Sequence, residues 1–216
     1  MAKMQPFWWF LAKRLHPNYV CWYNSCEDCG EWNVNPAHAC SVITDDFKEH
    51  TGSLQLMNET PSPWNGGLYT TLPLTECDVY FGFWAKWHNV LNPNNLYMTR
   101  MGVWGGTDYA ILYFRTVSGE LKWGWSAHVD VDTATGGDQP YTLGTWLWFE
   151  IRLRRLDRML EFYVNGVSVG KWIYGVGYVF DAFDSFKVWQ VGNQYRMGTI
   201  RLDYIRMADR FEYPPI

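Results

Sequence analysis

The sequence has 216 residues, a formal net charge of −4 and an isoelectric point near 5.7. This length suits one all-β domain with a sizeable core, and the acidic balance argues against a nucleic-acid partner, because phosphates require a basic protein face. No apolar run approaches the roughly 18 residues of a membrane span, so no membrane-spanning segment is predicted.

Residues 1–40 differ in composition from the rest and contain four of the five cysteines: Cys21, Cys26, Cys29 and Cys40. Their spacing, C-x4-C-x2-C-x10-C, favours a zinc-binding knuckle in a segment too short for its own core. Two disulfides or unlinked thiols are the alternatives. The sequence lacks the apolar stretch and cleavage site of a secretory signal, so we expect synthesis in the cytoplasm, which favours metal over disulfides.

Short strands with turn residues between them are predicted in the body of the chain, which is typical of a β-sandwich. They cover 68–72, 77–87, 97–104, 109–116, 121–128, 186–191 and 199–207. We expect two units, an N-terminal arm over residues 1–40 that serves as an anchor or small metal or disulfide knuckle, and an all-β domain over residues 41–216.

The clearest local pattern is a hairpin between residues 144 and 172. Two alternating strands are predicted there, with the period of two expected of a strand that buries one face. Residues predicted to face the core are Leu147, Phe149, Ile151, Leu153, Leu160, Phe162 and Val164, and those predicted to face outward are Trp148, Glu150, Arg152, Arg154, Glu161 and Tyr163. Asn165-Gly166 supplies the positive φ angles of a two-residue turn.

The order of these features resembles the concanavalin A-like, laminin G-like jelly roll over about residues 41–209. The matching motifs are Asp45-Asp46-Phe47, the strand Tyr80–Lys86, the Gly-Thr-Trp strand at Gly144–Trp146, the hairpin Tyr163–Gly166 and the closing strand Arg201–Ile205. The resemblance implies a β-sandwich of two antiparallel sheets. It says little about function, because the same fold carries lectins, glycan hydrolases and lyases, adhesion modules and viral surface proteins.

Sugar binding is predicted where aromatic rings stand beside amides and carboxylates at strand ends. A ring stacks on the apolar face of a sugar while Asn and Asp bind its hydroxyls. The candidate glycan-binding residues are Trp64, Trp87, Asn89, Trp104, Asp108 and Asn193.

No catalytic carboxylate motif is recognisable, since Glu76 and Asp78 have no third acid near them. We therefore expect a non-enzymatic protein. A glycan hydrolase, or a lyase using His128, Tyr113 or Arg115, remains the alternative. Asp130, Asp132 and Asp138 lie in a Gly-containing acidic segment and form a weak calcium candidate, for which an ordinary polar turn is the alternative. No organic cofactor is expected.

The first functional hypothesis is a lectin-like attachment or capsid-decoration protein of a phage or virus. It would bind glycans, or neighbouring virion subunits through its N-terminal arm, as a homo-oligomer on the virion surface; an extracellular location is the alternative. Release by lysis would explain an adhesion-type sandwich without a signal segment. A purely structural protein that cements neighbouring subunits is the third possibility.

Overall fold

The computed structural model describes residues 20–34, 39–48, 51–58, 66–72, 78–90, 98–178, 183–191 and 198–208. Within these ranges the chain forms fifteen β-strands and one short 3-10 helix, Cys29–Glu31. No helix there is long and apolar enough to cross a membrane. The structure confirms the predicted all-β fold, a jelly-roll sandwich of two antiparallel sheets.

The first sheet, sheet A, has eight strands. In spatial order it contains β13 (Val167–Ile173), β12 (Met159–Val164), β11 (Leu147–Arg154), β6 (Val79–Asn89), β15 (Gly198–Ala208), β4 (Ser53–Asn58) and β3 (Ala39–Ile43), with β1 (Val20–Asn24) paired beside β15. The last strand therefore lies between strands from the first half of the chain, so the sheet joins distant parts of the sequence.

The second sheet, sheet B, has seven strands. In spatial order it contains β10 (Asp132–Pro140), β9 (Glu120–Val129), β8 (Asp108–Val117), β7 (Met98–Gly105), β14 (Ser185–Val191), β5 (Gly66–Thr71) and β2 (Asn33–Val34). Strands β7 to β10 form a meander in which each strand pairs with the next along the chain. This meander carries the candidate site described below.

Aromatic rings from both sheets fill the space between them. Phe83 and Phe149 of sheet A are paired across neighbouring strands, with ring centroids 5.5 Å apart. Phe186 and Phe114 of sheet B pack edge-on against them at 5.0 and 5.6 Å. These contacts explain much of the high aromatic content, because each buried ring removes on the order of 150–250 Å² from water.

The predicted hairpin is confirmed. Asn165 and Gly166 have φ angles of 49° and 78°, and the Asn165 side chain accepts a hydrogen bond of 2.9 Å from the Trp148 backbone N–H. The side chains predicted to point outward on β11 do point away from the core. Trp148 and Glu150 are nevertheless 0% exposed, because the outer face of sheet A is itself covered.

Ion pairs occupy that outer face of sheet A. The Asp46 carboxylate, in the loop after β3, accepts hydrogen bonds from Lys86 Nζ, Arg201 Nη1 and, at 3.1 Å, Trp146 Nε1. Nearby, Glu150 Oε2 accepts a hydrogen bond of 3.2 Å from Trp148 Nε1. These paired groups make the face a structural layer.

The described part of the predicted arm, residues 20–34, contributes strands to both sheets. Strand β1 pairs with β15 in sheet A, and β2 pairs with β5 in sheet B. Residues 20–34 therefore belong to the sandwich, because their backbone groups complete the edges of its sheets. Residues 1–19 lie outside the described residues.

Candidate functional site

The outer face of sheet B contains an open cavity of about 220 Å³ on the meander. Because side chains alternate across a strand, every second residue of β7, β8 and β9 reaches this face. The cavity is lined by Arg100, Ile111, Tyr113, Arg115, Ser126, Thr135, Gly136, Gly137 and Asp138. We call this set the meander cavity.

Glycine makes room for the aromatic floor of the cavity. Tyr113 is paired with Gly124 on β9, and a Cβ atom at position 124 would lie 2.5 Å from Tyr113 Oη. Only a residue without a side chain lets the phenol ring lie against the sheet at this point.

A bulge in β10 directs a carboxylate into the cavity. The register of β10 shifts between Gly137 and Gln139, and Asp138 within this shift has a φ angle of 67°. The Asp138 carboxylate accepts two hydrogen bonds from Arg115, one of them 2.7 Å from Nε to Oδ1. Bulges re-aim side chains in this way, and the result is a bidentate ion pair at the rim.

The electrostatics keep Tyr113 a neutral phenol. Burial raises its pKa above the usual 10, and the negative charge of Asp138 and a hydrogen bond to that carboxylate raise it further, although Arg115 opposes them. The Arg115 guanidinium carbon lies 5.4 Å from the centre of the Tyr113 ring, a cation–π contact. At neutral pH, Tyr113 therefore acts as a hydrogen-bond donor and a poor base.

A row of aromatic side chains crosses the same face beside the cavity; we call Trp104, Tyr109 and His128 the aromatic row. The ring centroids of Trp104 and Tyr109 are 6.3 Å apart, and those of Tyr109 and His128 are stacked at 5.6 Å. Tyr109 and Tyr113 are four residues apart on β8, so the row and the cavity floor are separated by about 13 Å. Together they form a surface long enough for several sugar units.

The six predicted glycan-binding residues are not brought together. Trp104 lies in the aromatic row, whereas Asn89 is exposed at the end of β6 in the other sheet. Trp64 and Asn193 lie outside the described residues.

Two of these predictions are corrected by burial. Trp87 is 0% exposed and packs against Phe114 with ring centroids 6.0 Å apart, so it is a core residue. Asp108 is 2% exposed, and its Oδ1 accepts a hydrogen bond of 2.8 Å from the Asp130 backbone N–H. This hydrogen bond joins the β7–β8 turn, beside Asp108, to the β9–β10 turn, which contains Asp130.

Of the four cysteines of the arm, Cys29 and Cys40 are the pair whose contact the described residues show. Cys29 and Cys40 are free thiols whose side chains are hydrogen bonded to each other, and burial, followed by this bond, raises the pKa of Cys40. The Cys26 side chain is buried, and the side chain of Cys21 lies outside the described part of the chain. Among the described residues, no group of three His, Cys, Asp or Glu side chains is placed to hold a metal, so zinc binding stays a prediction.

Of the three aspartates proposed for calcium, Asp130 lies in the turn between β9 and β10, and the other two lie on β10. Asp132 and Asp138 lie at opposite ends of this strand, six residues or about 20 Å apart, and Asp138 is bound to Arg115. One ion cannot contact both carboxylates in this arrangement, so any calcium site needs other ligands.

Sequence reasoning missed Arg100 and Lys187 as members of the site. Arg100 is paired with Tyr113 across β7 and β8, and Lys187 of β14 places its Nζ 5.7 Å from the centre of the Trp104 ring. Their place on this face follows from the alternation of residues along the meander strands and not from aromatic rings at strand ends.

Comparisons with known proteins establish the fold. No protein-family model and no curated protein matches the sequence. Among solved structures, an endo-β-1,4-glucuronan lyase from the fungus Trichoderma reesei is similar, with a TM-score of 0.64, 13% identity, and 89% of this chain and 97% of that chain covered.

Two phage proteins are similar to the same degree. A carbohydrate esterase from the Shiga toxin-encoding bacteriophage phi24B gives a TM-score of 0.64 at 11% identity, over 88% of this chain and 98% of that chain. The CBM2 module of the evolved Dit of Lactobacillus casei BL23 phage J-1 gives 0.61 at 11% identity, over 91% and 98%. At such identities the likeness shows the fold alone.

Proposed function

We propose that the protein is a non-enzymatic, lectin-like β-sandwich that binds a glycan across the outer face of sheet B. The observation that carries this proposal is that the meander cavity and the aromatic row share one face of sheet B. Along β8, Tyr113 of the cavity and Tyr109 of the row are about 13 Å apart. Stacking rings next to convergent hydrogen-bonding groups are the usual composition of a sugar site. The carbohydrate-related structures with the same fold support the proposal by analogy.

The described geometry favours binding over cleavage. Hydrolysis of a glycosidic bond by paired carboxyls needs a second acid close to the first, and Asp138 is the one carboxylate among the described residues that line the cavity. A lyase needs a base beside Tyr113, but His128 is paired with Tyr109 further along the sheet, and its Nδ1 contacts Thr133 Oγ1 at 2.9 Å. The separation of about 13 Å along β8 counts against a lyase that uses Tyr113 together with His128 on one sugar bond.

A role on a phage or virus particle is the finer part of the proposal. Two of the similar structures are phage proteins, which supports an attachment or decoration function by analogy. The protein would display sheet B outward, with the N-terminal segment or a neighbouring subunit holding it in the particle.

The test is a glycan array with and without calcium, followed by mass spectrometry of the bound glycans. We expect binding without cleavage, and a loss of about tenfold in affinity for Trp104→Ala, because a stacking ring is removed. Phe47→Ala is the matched control, since Phe47 is an exposed ring in the loop beside sheet A. Cleavage would favour the enzyme alternative, and absence of binding would favour a cementing role.

A further inference from the structure

We propose that the glycan is an extended linear chain that crosses the strands of sheet B, with one part in the meander cavity and another part stacked on Tyr69. This inference rests on the proposed function, because it assigns a ligand shape and a further binding residue to the same face. Its basis is a line of directly paired residues that leads from the cavity to the opposite side of the sheet.

Strand register creates this line, which we call the cross-strand line. Across β5, β14, β7, β8, β9 and β10 it contains Tyr69, Lys187, Gly102, Ile111, Ser126 and Thr135. Directly paired residues share one face of a sheet, and the last three of these residues line the meander cavity. The whole line therefore lies on the outer face of sheet B. With about 4.8 Å between neighbouring strands, it spans about 24 Å from Thr135 to Tyr69.

The middle of the cross-strand line is low. Gly102 has no side chain, and a Cβ atom there would lie 2.3 Å from the Ala110 carbonyl oxygen, so the position excludes one. Ile111 beside it is 1% exposed. Trp104 and Tyr109 lie two residues away on the same strands, about 7 Å along them, and are only partly buried. A chain on the cross-strand line therefore has the aromatic row along one side.

Lys187 lies on the line between Gly102 and Tyr69. Its Nζ is 5.7 Å from the centre of the Trp104 ring on β7, so the side chain leans toward the aromatic row and away from Tyr69 on β5. The ammonium group can donate hydrogen bonds to the hydroxyls of a chain that passes it. This arrangement leaves the way from the cavity to Tyr69 open.

Tyr69 is an accessible ring at the far end of the line. Its side chain is 46% exposed although β5 has a neighbouring strand on each side. Asn33 of β2 is paired with Tyr69 and is exposed as well. The ring offers a face for stacking, and the Asn33 amide offers a donor and an acceptor for sugar hydroxyls. Register thus brings together a ring and an amide that are distant in the sequence.

The experiment measures how affinity depends on chain length. Oligosaccharides of two, four and six units from cellulose, chitin, glucuronan and any linear repeat bound on the array are titrated by calorimetry. We expect affinity to rise at least about tenfold from two to six units, because only the longer chains reach from the cavity to Tyr69. Equal affinity at all lengths, or binding of branched or single sugars alone, would overturn the inference and leave glycan binding standing.

Variants of Tyr69 locate the far end of the chain. Tyr69→Ala is expected to reduce the affinity for six units about tenfold, because a stacking ring is lost, and to retain that for two units, which fit in the cavity. Tyr69→Phe keeps the ring and should retain binding of six units. Phe47→Ala, which removes an exposed ring beside sheet A, is the matched control. Unchanged affinity of Tyr69→Ala for six units, or an equal loss for two and six, would overturn the role of Tyr69.

Hydroxyl-radical footprinting gives a second readout on the unchanged protein. Six units should protect Tyr69 from oxidation, whereas two units should leave it reactive. A Tyr69 that stays reactive under six units would contradict the path along the cross-strand line. Absence of binding to every oligosaccharide, here and on the array, would overturn the proposed function itself.

Discussion

The phenol ring of Tyr113 rests on a position that tolerates no side chain. A Cβ atom at residue 124 would lie 2.5 Å from Tyr113 Oη and 2.8 Å from the carbonyl oxygen of Gly136. We expect Gly124→Ala to displace the ring, to cost about 1–3 kcal/mol of stability, and to weaken glycan binding at least about tenfold. Thermal unfolding and a glycan titration measure the two effects.

The opposite sheet offers a control for Gly124→Ala. A Cβ atom at Gly82 would lie 2.2 Å from Cζ2 of Trp148, on the outer face of sheet A. Gly82→Ala should therefore destabilise the protein by a similar amount without changing the affinity of the folded molecules. Normal binding by Gly124→Ala would show that the Tyr113 ring is not part of the site.

Asp46 links a loop to two strands through three donors. Burial opposes ionisation of its carboxyl, but hydrogen bonds from Lys86 and Trp146 outweigh burial and hold its pKa below the usual 3.8. We expect Asp46→Asn to lower the free energy of unfolding by about 1–3 kcal/mol, because Lys86 and Arg201 lose their negative partner in a largely buried setting. Chemical denaturation at neutral pH measures the loss.

The sign of the pH effect on Asp46 follows from its lowered pKa. The stabilisation is present above pH 3.8 and is lost as the pH falls through the lower folded-state pKa. The difference between the protein and Asp46→Asn should then disappear in strong acid. Asp45→Asn is the matched control, since the neighbouring Asp45 is exposed. A difference that persists unchanged at the lowest pH would contradict the ion-pair explanation.

At the scale of elements, the Cys29–Cys40 contact joins the two edges of the sandwich. The 3-10 helix with Cys29 leads into β2 of sheet B, and Cys40 lies on β3 of sheet A. We expect oxidised glutathione at mildly alkaline pH to close a disulfide between them. Closing a loop of this length stabilises a protein by about 2–3 kcal/mol, which should raise Tm by about 4–10 °C. Peptide mapping and thermal unfolding provide the measurements.

The zinc hypothesis for the cysteines is tested on the same protein. Cys29→Ser should abolish the disulfide and the gain in Tm. If protein purified without chelator instead contains about one zinc per chain, and Cys29→Ser loses it, the zinc prediction stands and the disulfide prediction fails.

The sequence predicts strands better than it predicts what covers them. The β11–β12 alternation and the Asn165-Gly166 turn are local patterns, so both are found where expected. The burial of Trp148 and Glu150 depends on partners distant in the sequence, among them Arg206, whose Nη2 lies 3.8 Å from Glu150 Oε2. A period of two cannot reveal such a second layer.

The sequence likewise predicts those parts of the candidate site that carry a local signal, and not those that depend on contacts between distant residues. Trp104, beside two glycines at the end of a strand, carries a local signal and lies on the outer face of sheet B, where binding is proposed. The pairing of Arg100 with Tyr113, and the bulge that turns Asp138 toward Arg115, depend on strand register across the meander. Trp87 has the same local signal as Trp104 but is covered by Tyr141. The Tyr141 Oη accepts a hydrogen bond from the Trp87 backbone N–H.

At the scale of the whole molecule, the two sheets have outer faces of different character. Sheet A is covered by ion pairs around Asp46 and Glu150. Sheet B presents a cavity with two arginines, an aromatic row and glycine gaps. The outer face of sheet A is thus a structural layer, whereas that of sheet B has an open cavity, which is why the proposed function is assigned to sheet B.

The buried tyrosines predict how the whole molecule responds to alkali. Burial is the largest influence on five of them and raises each pKa above the usual 10: Tyr80, Tyr113, Tyr141, Tyr163 and Tyr174. A raised folded-state pKa contributes stability that is complete below pH 10 and is lost as the pH rises through the folded value.

We expect several of the 14 tyrosines to ionise only well above pH 10, together with loss of structure. Tyrosinate absorbance and circular dichroism, followed in one titration, measure both events. Tyr141→Phe should remove one late-titrating group, because burial raises the pKa of Tyr141. Titration of all tyrosines near pH 10 in a protein that stays folded would contradict the burial described here, because an exposed phenol has no reason to resist ionisation.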